Sequence, residues 1–198
     1  MGKWCIVVQG PSDCVPEIRK ATEGYKTIFS AWVGEESCYS KEDDVIFNEK
    51  PEEAGNGNLF YQQKTTMSGL LKAQGLGFEN VLKIRSDFIV KDIDRLINSF
   101  THQLNFFFWH NYNGGYICDY LMAGKTELII SLWKIKSGKY YMFSERMITE
   151  NFFEMGLNKD DFIFFLNSLN KKNNIFWTKY KKFLSSYKSD NLALNFIK

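Results

Sequence analysis

Val81-Leu-Lys-Ile-Arg-Ser-Asp-Phe-Ile-Val90 is the stretch on which the fold turns. A run this rich in Val, Ile, Leu and Phe predicts a strand, and strand side chains alternate between faces. Lys83, Arg85 and Asp87 would then share one side, with Leu82, Ile84 and Phe88 on the other. Three charges on one face of an apolar strand have two readings. One is an exposed sheet face carrying a cross-strand charge ladder. The other places Asp87 near the carboxyl end of a central strand, where open α/β sheets bind ligands. There a carboxylate can hold a divalent cation or a ribose, while Lys83 and Arg85 face a phosphate or orient the carboxylate.

Outward from this strand, short apolar runs alternate with helix signals. Trp4 to Val8 predicts a buried strand that ends at Gln9-Gly10-Pro11. A short helix follows, with Ser12 or Asp13 as cap, Pro16 and Glu17 in its first turn and Gly24 beyond its end. Tyr25–Trp32 and Asp44–Phe47 predict strands, and Phe60–Gln74 a helix with Asn58 near its start and Met67, Leu70, Leu71 and Ala73 at helical spacing. Downstream, Asp92 caps a helix reaching to about Leu104, and Asn105–Trp109 is another apolar run. This rhythm argues for an α/β fold with a mixed, mostly parallel sheet flanked by helices. Beyond Gly114-Gly115 the reading turns helical: Thr126–Trp133, Ser144–Met155, Asp160–Asn170 and Asn174–Tyr187.

Composition closes off several classes. The 198 residues are 44% hydrophobic and 17% aromatic, which excludes disorder as the main state, and the length suits one domain, 1–198. With 25 basic against 23 acidic side chains, the net charge of +2 gives no field for gripping nucleic acid. No apolar run reaches the roughly 20 residues of a membrane span. The start, Met-Gly-Lys-Trp-Cys-Ile-Val-Val-Gln-Gly, is too short and polar-ended for a signal peptide. Cys5, Cys14, Cys38 and Cys118 form no CxxC, and with only His102 and His110 a zinc site is not expected; both histidines read as structural. A soluble cytoplasmic protein with free thiols is the expectation. The Lys-rich last helix reads as a solvated helix with an apolar inner face, or as a peripheral contact with the inner face of a membrane.

Other candidates are weaker one by one. Gly10 lets backbone approach a ligand, and Gln9 offers an amide to a base or sugar edge. The turn is not GxGxxG, which counts against a dinucleotide, and GxxxxGK[ST] and GxSxG are absent. Trp32 reads as core or rim before it reads as a stacking platform. Asn58 and Gln62 lie on one helix face, or are simply a cap and a solvated amide. Asp119, among aromatic and apolar neighbours, is either a cap or a buried functional carboxylate. Glu145 either favours a helix dipole or, paired with Asp119, supplies a general base.

Taken in order, Val7-Val-Gln-Gly-Pro11, Ile28-Phe-Ser-Ala-Trp-Val-Gly34, Asn58 with Gln62, Thr65-Thr-Met-Ser-Gly-Leu70 with Ala73, Lys83-Ile-Arg-Ser-Asp87, Ile117-Cys-Asp119 through Gly124, Leu132-Trp133 and Ser144-Glu145 resemble the WavE family of lipopolysaccharide-synthesis proteins, regarded as glycosyltransferases. Lys-x-Arg-Ser-Asp is the most specific of these pieces. The resemblance implies a single GT-A-like (Rossmann-like) domain, with a nucleotide-sugar-binding half (1–110) and an acceptor half with C-terminal helices (111–198). Gln9, Gly10, Pro11, Trp32, Asn58, Gln62, Lys83, Arg85 and Asp87 would bind the donor. Asp87 would correspond to the last carboxylate of a DxD motif and hold Mn2+ or Mg2+, and Asp119 and Glu145 would face the sugar or the acceptor. Two departures stand out. Arg85 replaces the first acidic residue, so it could neutralise phosphate directly and make the enzyme metal-independent. Tyr61 stands where an arginine is expected before Gln62, removing a phosphate contact.

The leading expectation is therefore transfer of a sugar from a nucleotide-diphosphate donor to a glycan or glycolipid in surface polysaccharide synthesis. A sugar nucleotidyltransferase would want a basic first loop, and Gln9–Asp13 has neither Lys nor Arg. A non-catalytic glycan- or partner-binding protein on the same fold is the third reading, and the missing second acidic residue supports it.

Overall fold

Strand β1 (Trp4–Gln9) is the hub. It pairs in parallel with β2 (Lys26–Trp32) on one side and with β4 (Asn80–Arg85) on the other, and β2 pairs in parallel with β3 (Asp44–Asn48). The computed structural model describes residues 4–90, 92–100, 102–111, 114–137, 139–157, 162–165 and 176–178; for 13, 107–111, 114, 115, 162–165 and 176–178 only the backbone is described. The remaining elements are α1 (Val15–Ala21), α2 (Leu59–Gly75), β5 (Phe88–Val90), α3 (Ile93–Asn98), β6 (Leu104–Asn111), β7 (Gly114–Lys125), α4 (Thr126–Trp133), α5 (Ser144–Glu154), β8 (Phe162–Phe165) and β9 (Phe176–Thr178).

Seven strands form one sheet in the order β3-β2-β1-β4-β7-β6-β8, and β5 pairs separately with β9. Within the seven, β7 alone runs against its neighbours, so the sheet is mixed but mostly parallel, flanked by helices on both faces. Alternation on β1 and β4 feeds two apolar layers. Ile6, Val8, Leu82 and Ile84 pack with residues of α1 and α3, whereas Cys5, Val7 and Val81 pack under α2, α4 and α5. Helix α2 sits close to the sheet because Gly69 lacks a side chain: a Cβ there would lie 2.5 Å from Val7 Cγ1. Its 17 residues run back from the sheet's carboxyl edge, so its first turn lies beside the ends of β1 and β2.

Several sequence expectations need correction. The single strand 81–90 is two strands, broken at Ser86-Asp87, so Asp87 lies in a turn and not on the face of Lys83. Asp92 does cap α3, accepting from the Arg95 amide at 2.9 Å. That helix ends at Asn98, because Leu104 and Phe106 are core residues at the two-residue spacing of a strand. Cys14, not Ser12 or Asp13, occupies the cap position of α1. Strand β7 is not anticipated at all. The helix expected over 160–170 is a strand at Phe162–Phe165, paired with β6, and that expected over 174–187 is a strand at Phe176–Thr178. Aromatic-rich runs fit a half-buried pleat at least as well as a helix. The rest of both segments, and with it the Lys-rich membrane-contact face, lies outside the described residues. Among those residues no helix is long and apolar enough to cross a membrane.

Candidate functional site

The carboxyl ends of β1 and β4 meet one irregularity in β7. From Phe106 to Phe108 on β6, the paired positions on β7 run from Met122 to Ile117, so β7 carries extra residues over that span. Bulges re-aim side chains and are common beside active sites. Asp119 sits within this bulge and is fully buried, with Oδ1 lacking any protein partner. Pairing of β7 with β4 stops just short of it, at Ile84 and Leu121.

Arg85, the last residue of β4, gathers the acidic groups. Its Nε and Nη2 donate to Asp87 Oδ1 and Oδ2 at 2.9 and 2.8 Å, a bidentate fork, and Nη1 donates to Asp119 Oδ2 at 3.4 Å. The guanidinium lies 4.3 Å from the Tyr120 ring centre. Burial disfavours the Arg85 cation, but Asp119 and Asp87 outweigh it and hold its pKa above the ordinary value. Burial and Arg85 act in opposite senses on the Tyr120 phenol, which is pushed up to about 12.

Glu145 enters from the first turn of α5, its Oε2 accepting from Ser144 Oγ at 2.9 Å. The helix is pinned to β7 where Thr149 Oγ1 accepts from the Ile117 amide at 2.8 Å. Burial, then the nearby Asp119 carboxylate, raises the Glu145 pKa, with Arg85 opposing. Both effects disfavour its charged form. The two carboxylates that sequence reading paired are indeed neighbours.

Lys83 is placed differently from a diphosphate ligand. It is fully buried, donates to the main-chain carbonyl of Asp119, and lies 4.8 Å from the Trp133 ring centre. Burial lowers its pKa to about 8, against the pull of Asp119. It therefore braces the bulge from beneath the sheet.

On the β1 side, Gly10 adopts φ +124°, and a Cβ there would lie 2.6 Å from Ser86 Oγ. The Ser86 amide donates to the Gln9 carbonyl at 2.8 Å, which carries the β1–β4 ladder one step past the strand. Gln9 Oε1 and Ser86 Oγ are both buried without a protein partner. With Asp119 Oδ1 they make three buried polar atoms without a protein partner around one sheet edge, and such atoms are uncommon and costly. Pro11 is exposed just beyond.

The remaining donor candidates form a second group at the start of α2. Trp32, 8% exposed at the end of β2, meets the Tyr61 ring edge-on at 5.5 Å, and Lys50 stands 5.8 Å from its face. Asn58 opens α2 at φ +63° without a side-chain cap bond, and Gln62 Nε2 donates to the Gly57 carbonyl at 3.4 Å. Gln62 Oε1 is another buried acceptor without a partner. Sequence reading passed over Ser86, Tyr120 and Trp133. Ser86 stands inside the quoted Arg-Ser-Asp and Tyr120 beside Asp119, so proximity in sequence was the available signal. His102 offers its carbonyl to Asn105 Nδ2 at 2.9 Å, and the His110 side chain lies outside the described residues.

A divalent cation at this edge would draw on Asp87, Asp119 and Glu145. Both Asp87 oxygens and Asp119 Oδ2 are engaged by Arg85. Among the described residues no three His, Cys, Asp or Glu side chains converge as a metal-holding set. The donor set as arranged does not fit such an ion.

No protein-family model and no curated protein matches this chain by sequence. Solved structures do. One, named a nucleotide-diphospho-sugar transferase from Desulfovibrio desulfuricans G20, superposes with a TM-score of 0.53 at 10% identity over 83% of this chain and 80% of its own. A glycosyltransferase involved in glycosylating the major capsid of PBCV-1 gives 0.49 at 13% identity over 83% and 82%. A glucose-1-phosphate thymidylyltransferase from Bacillus anthracis gives 0.48 at 8% identity over 82% and 85%. What the first of these likenesses establishes is architecture: the chain has a GT-A-like, nucleotide-sugar-transferase fold.

Proposed function

We propose that this chain is a glycosyltransferase that moves a sugar from a nucleotide-diphosphate donor to a hydroxyl of a glycan or glycolipid, in surface polysaccharide synthesis. The observation that carries the reading is the convergence, at the carboxyl edge of β1 and β4, of unpartnered Gln9 Oε1, Ser86 Oγ and Asp119 Oδ1 with the Arg85 cation and the Asp119–Glu145 pair. Ligands bind at that edge in open α/β sheets. Gln9 and the Gly10 turn meet the nucleoside, and Trp32 and the start of α2 close the far side of the donor cleft.

Glu145 is the base. Desolvation and Asp119 raise its proton affinity, which suits it to take a proton in the transition state. The acceptor hydroxyl gives its proton to the Glu145 carboxylate as its oxygen bonds the anomeric carbon. The bond from that carbon to the phosphate oxygen breaks, and the nucleoside diphosphate departs with the electron pair. Three of the five guanidinium N–H groups of Arg85 are used by Asp87 and Asp119, which leaves two to meet the departing phosphate. Asp119 positions Arg85 and tunes Glu145.

Thermal unfolding against UDP-, GDP- and CDP-sugars tests the donor site: a ligand at a hundred times its Kd stabilises by about 2.7 kcal/mol. Transfer should then depend on deprotonated Glu145, and its acidic limb should lie above the range of an ordinary glutamate. A flat panel on folded protein would remove the reading in favour of a non-catalytic glycan binder. Release of pyrophosphate would point to a nucleotidyltransferase.

A further inference from the structure

We propose that the Arg85 guanidinium stands in the place of a divalent cation, so that this site takes a nucleoside diphosphate without a metal; the inference rests on the donor-site reading above. Four observations lead there. Both oxygens of Asp87, the carboxylate best placed to hold an ion, are used by the Arg85 fork at 2.9 and 2.8 Å, and Asp119 Oδ2 takes a third N–H. The guanidinium is fixed by the Tyr120 ring 4.3 Å away, so the fork is held from a third side. Lys83 places a second cationic side chain on the far side of Asp119, bonded to its carbonyl. The two cations oppose the approach of a divalent ion to Asp119, Arg85 at its carboxylate and Lys83 from behind its main chain. Finally, hard divalent cations take about six oxygen ligands, largely carboxylates and waters, and no three-ligand set exists among the described residues.

The charges support the same arrangement. Arg85 and Lys83 balance Asp87 and Asp119 one for one. Glu145 remains as the carboxylate outside these pairings, its pKa raised by burial and by Asp119. A pre-balanced cluster has no call for two further positive charges. The planar fork of Arg85 suits two-point contact with a carboxylate or a phosphate. Its two unused N–H groups are the donors that an ion would otherwise replace.

The test uses the full chain and two readouts. Free Mn2+ is followed by electron paramagnetic resonance during titration with protein, and UDP, GDP and CDP binding is measured calorimetrically in EDTA and in Mn2+. Wild type should leave Mn2+ free, and the affinity for its preferred diphosphate should change less than twofold between the two media. Arg85→Asp, which places acidic side chains on both sides of Ser86, should acquire Mn2+ binding and should bind the diphosphate only when Mn2+ is present. Arg85→Gln, less demanding on the fold, should lose at least tenfold in diphosphate affinity in EDTA. Stoichiometric Mn2+ binding by wild type overturns the proposal. So does a folded Arg85→Asp chain that remains blind to Mn2+, because Arg85 would then not be what keeps the ion out. If no diphosphate binds in either medium, the donor-site reading fails, and the resonance titration still decides whether Arg85 excludes the metal.

Discussion

The two faces of strands β1 and β4 are built from the same backbone to opposite ends. Under α1 and α3, Ile6, Val8, Leu82 and Ile84 are at most 2% exposed and wholly apolar. Under α2, α4 and α5, the same strands present Cys5, Val7, Gln9, Val81 and Lys83, turning polar toward the carboxyl edge. The first face needs nothing but water exclusion, which contributes roughly 1.5–3 kcal/mol per large side chain. The second buries an amine, an amide and, across the bulge, a carboxylate, each of which requires a partner. Both faces are packed by apolar clusters, but only the second also carries buried polar groups, at its carboxyl edge.

Mutations can break this contrast. The largest effect should come from Glu145→Gln, which we expect to lower transfer 10²–10⁴-fold, as loss of a general base does, while leaving diphosphate binding and the unfolding midpoint in place. Equal loss of binding and transfer would place Glu145 in the donor site instead. On the apolar face, Leu82→Ala should cost about 2–5 kcal/mol in urea unfolding with little change in diphosphate affinity.

Lys83 sharpens the comparison from the other side. Its folded pKa, near 8, lies below the ordinary 10.5. Between those values the unfolded chain holds more protons, so stability from this group rises as pH rises through that window. Below about pH 8 the amine is charged in both states, and the full cost of burying it is present. Wild type should therefore gain on Lys83→Met between pH 8 and 10.5, by up to about 3 kcal/mol. Measuring the difference between the two chains cancels the thiols, which shift in the opposite sense. A pH-independent difference would mean that Lys83 is not the buried cation described here.

Gly10→Ala should destabilise by about 1–3 kcal/mol, since the backbone is at φ +124° and the new methyl meets Ser86 Oγ. Adding Ser86→Gly should restore only the steric part. The smallest effect belongs to Leu71→Ala on the outer face of α2. Leu71 is 50% exposed although it falls at helical spacing with Leu70, and unfolding should move by no more than about 0.5 kcal/mol.

Wherever local pattern and burial agreed, sequence reading reached the structure. Trp4–Val8, Tyr25–Trp32, Asp44–Phe47, Phe60–Gln74 and Thr126–Trp133 lie within a residue or two of the observed elements. Each is a short apolar run or a helix-spaced face, all but Thr126–Trp133 closed within two residues by Gly, Asn or Pro, and such signals act over a few residues. Asp119 was nameable because a carboxylate among apolar neighbours must have a reason to be there, and Glu145 because it opens a helix that the family resemblance sets toward the sugar or the acceptor. Their pairing was one of the options the sequence left open; what brings them together is the pairing of β7 with β4 and Thr149 pinning α5 to Ile117.

What the residues determined unaided was an α/β chain with a charged strand end at Arg-Ser-Asp, because alternation and helical spacing are properties of a single segment. Only the tertiary structure decided that Asp87 turns back onto Arg85, that Lys83 points inward to the Asp119 carbonyl, and that the Phe-rich run at 162–165 is a strand. A turn's direction, a buried amine's partner and a strand's neighbour are each settled by groups distant in sequence, whose energies no local pattern contains.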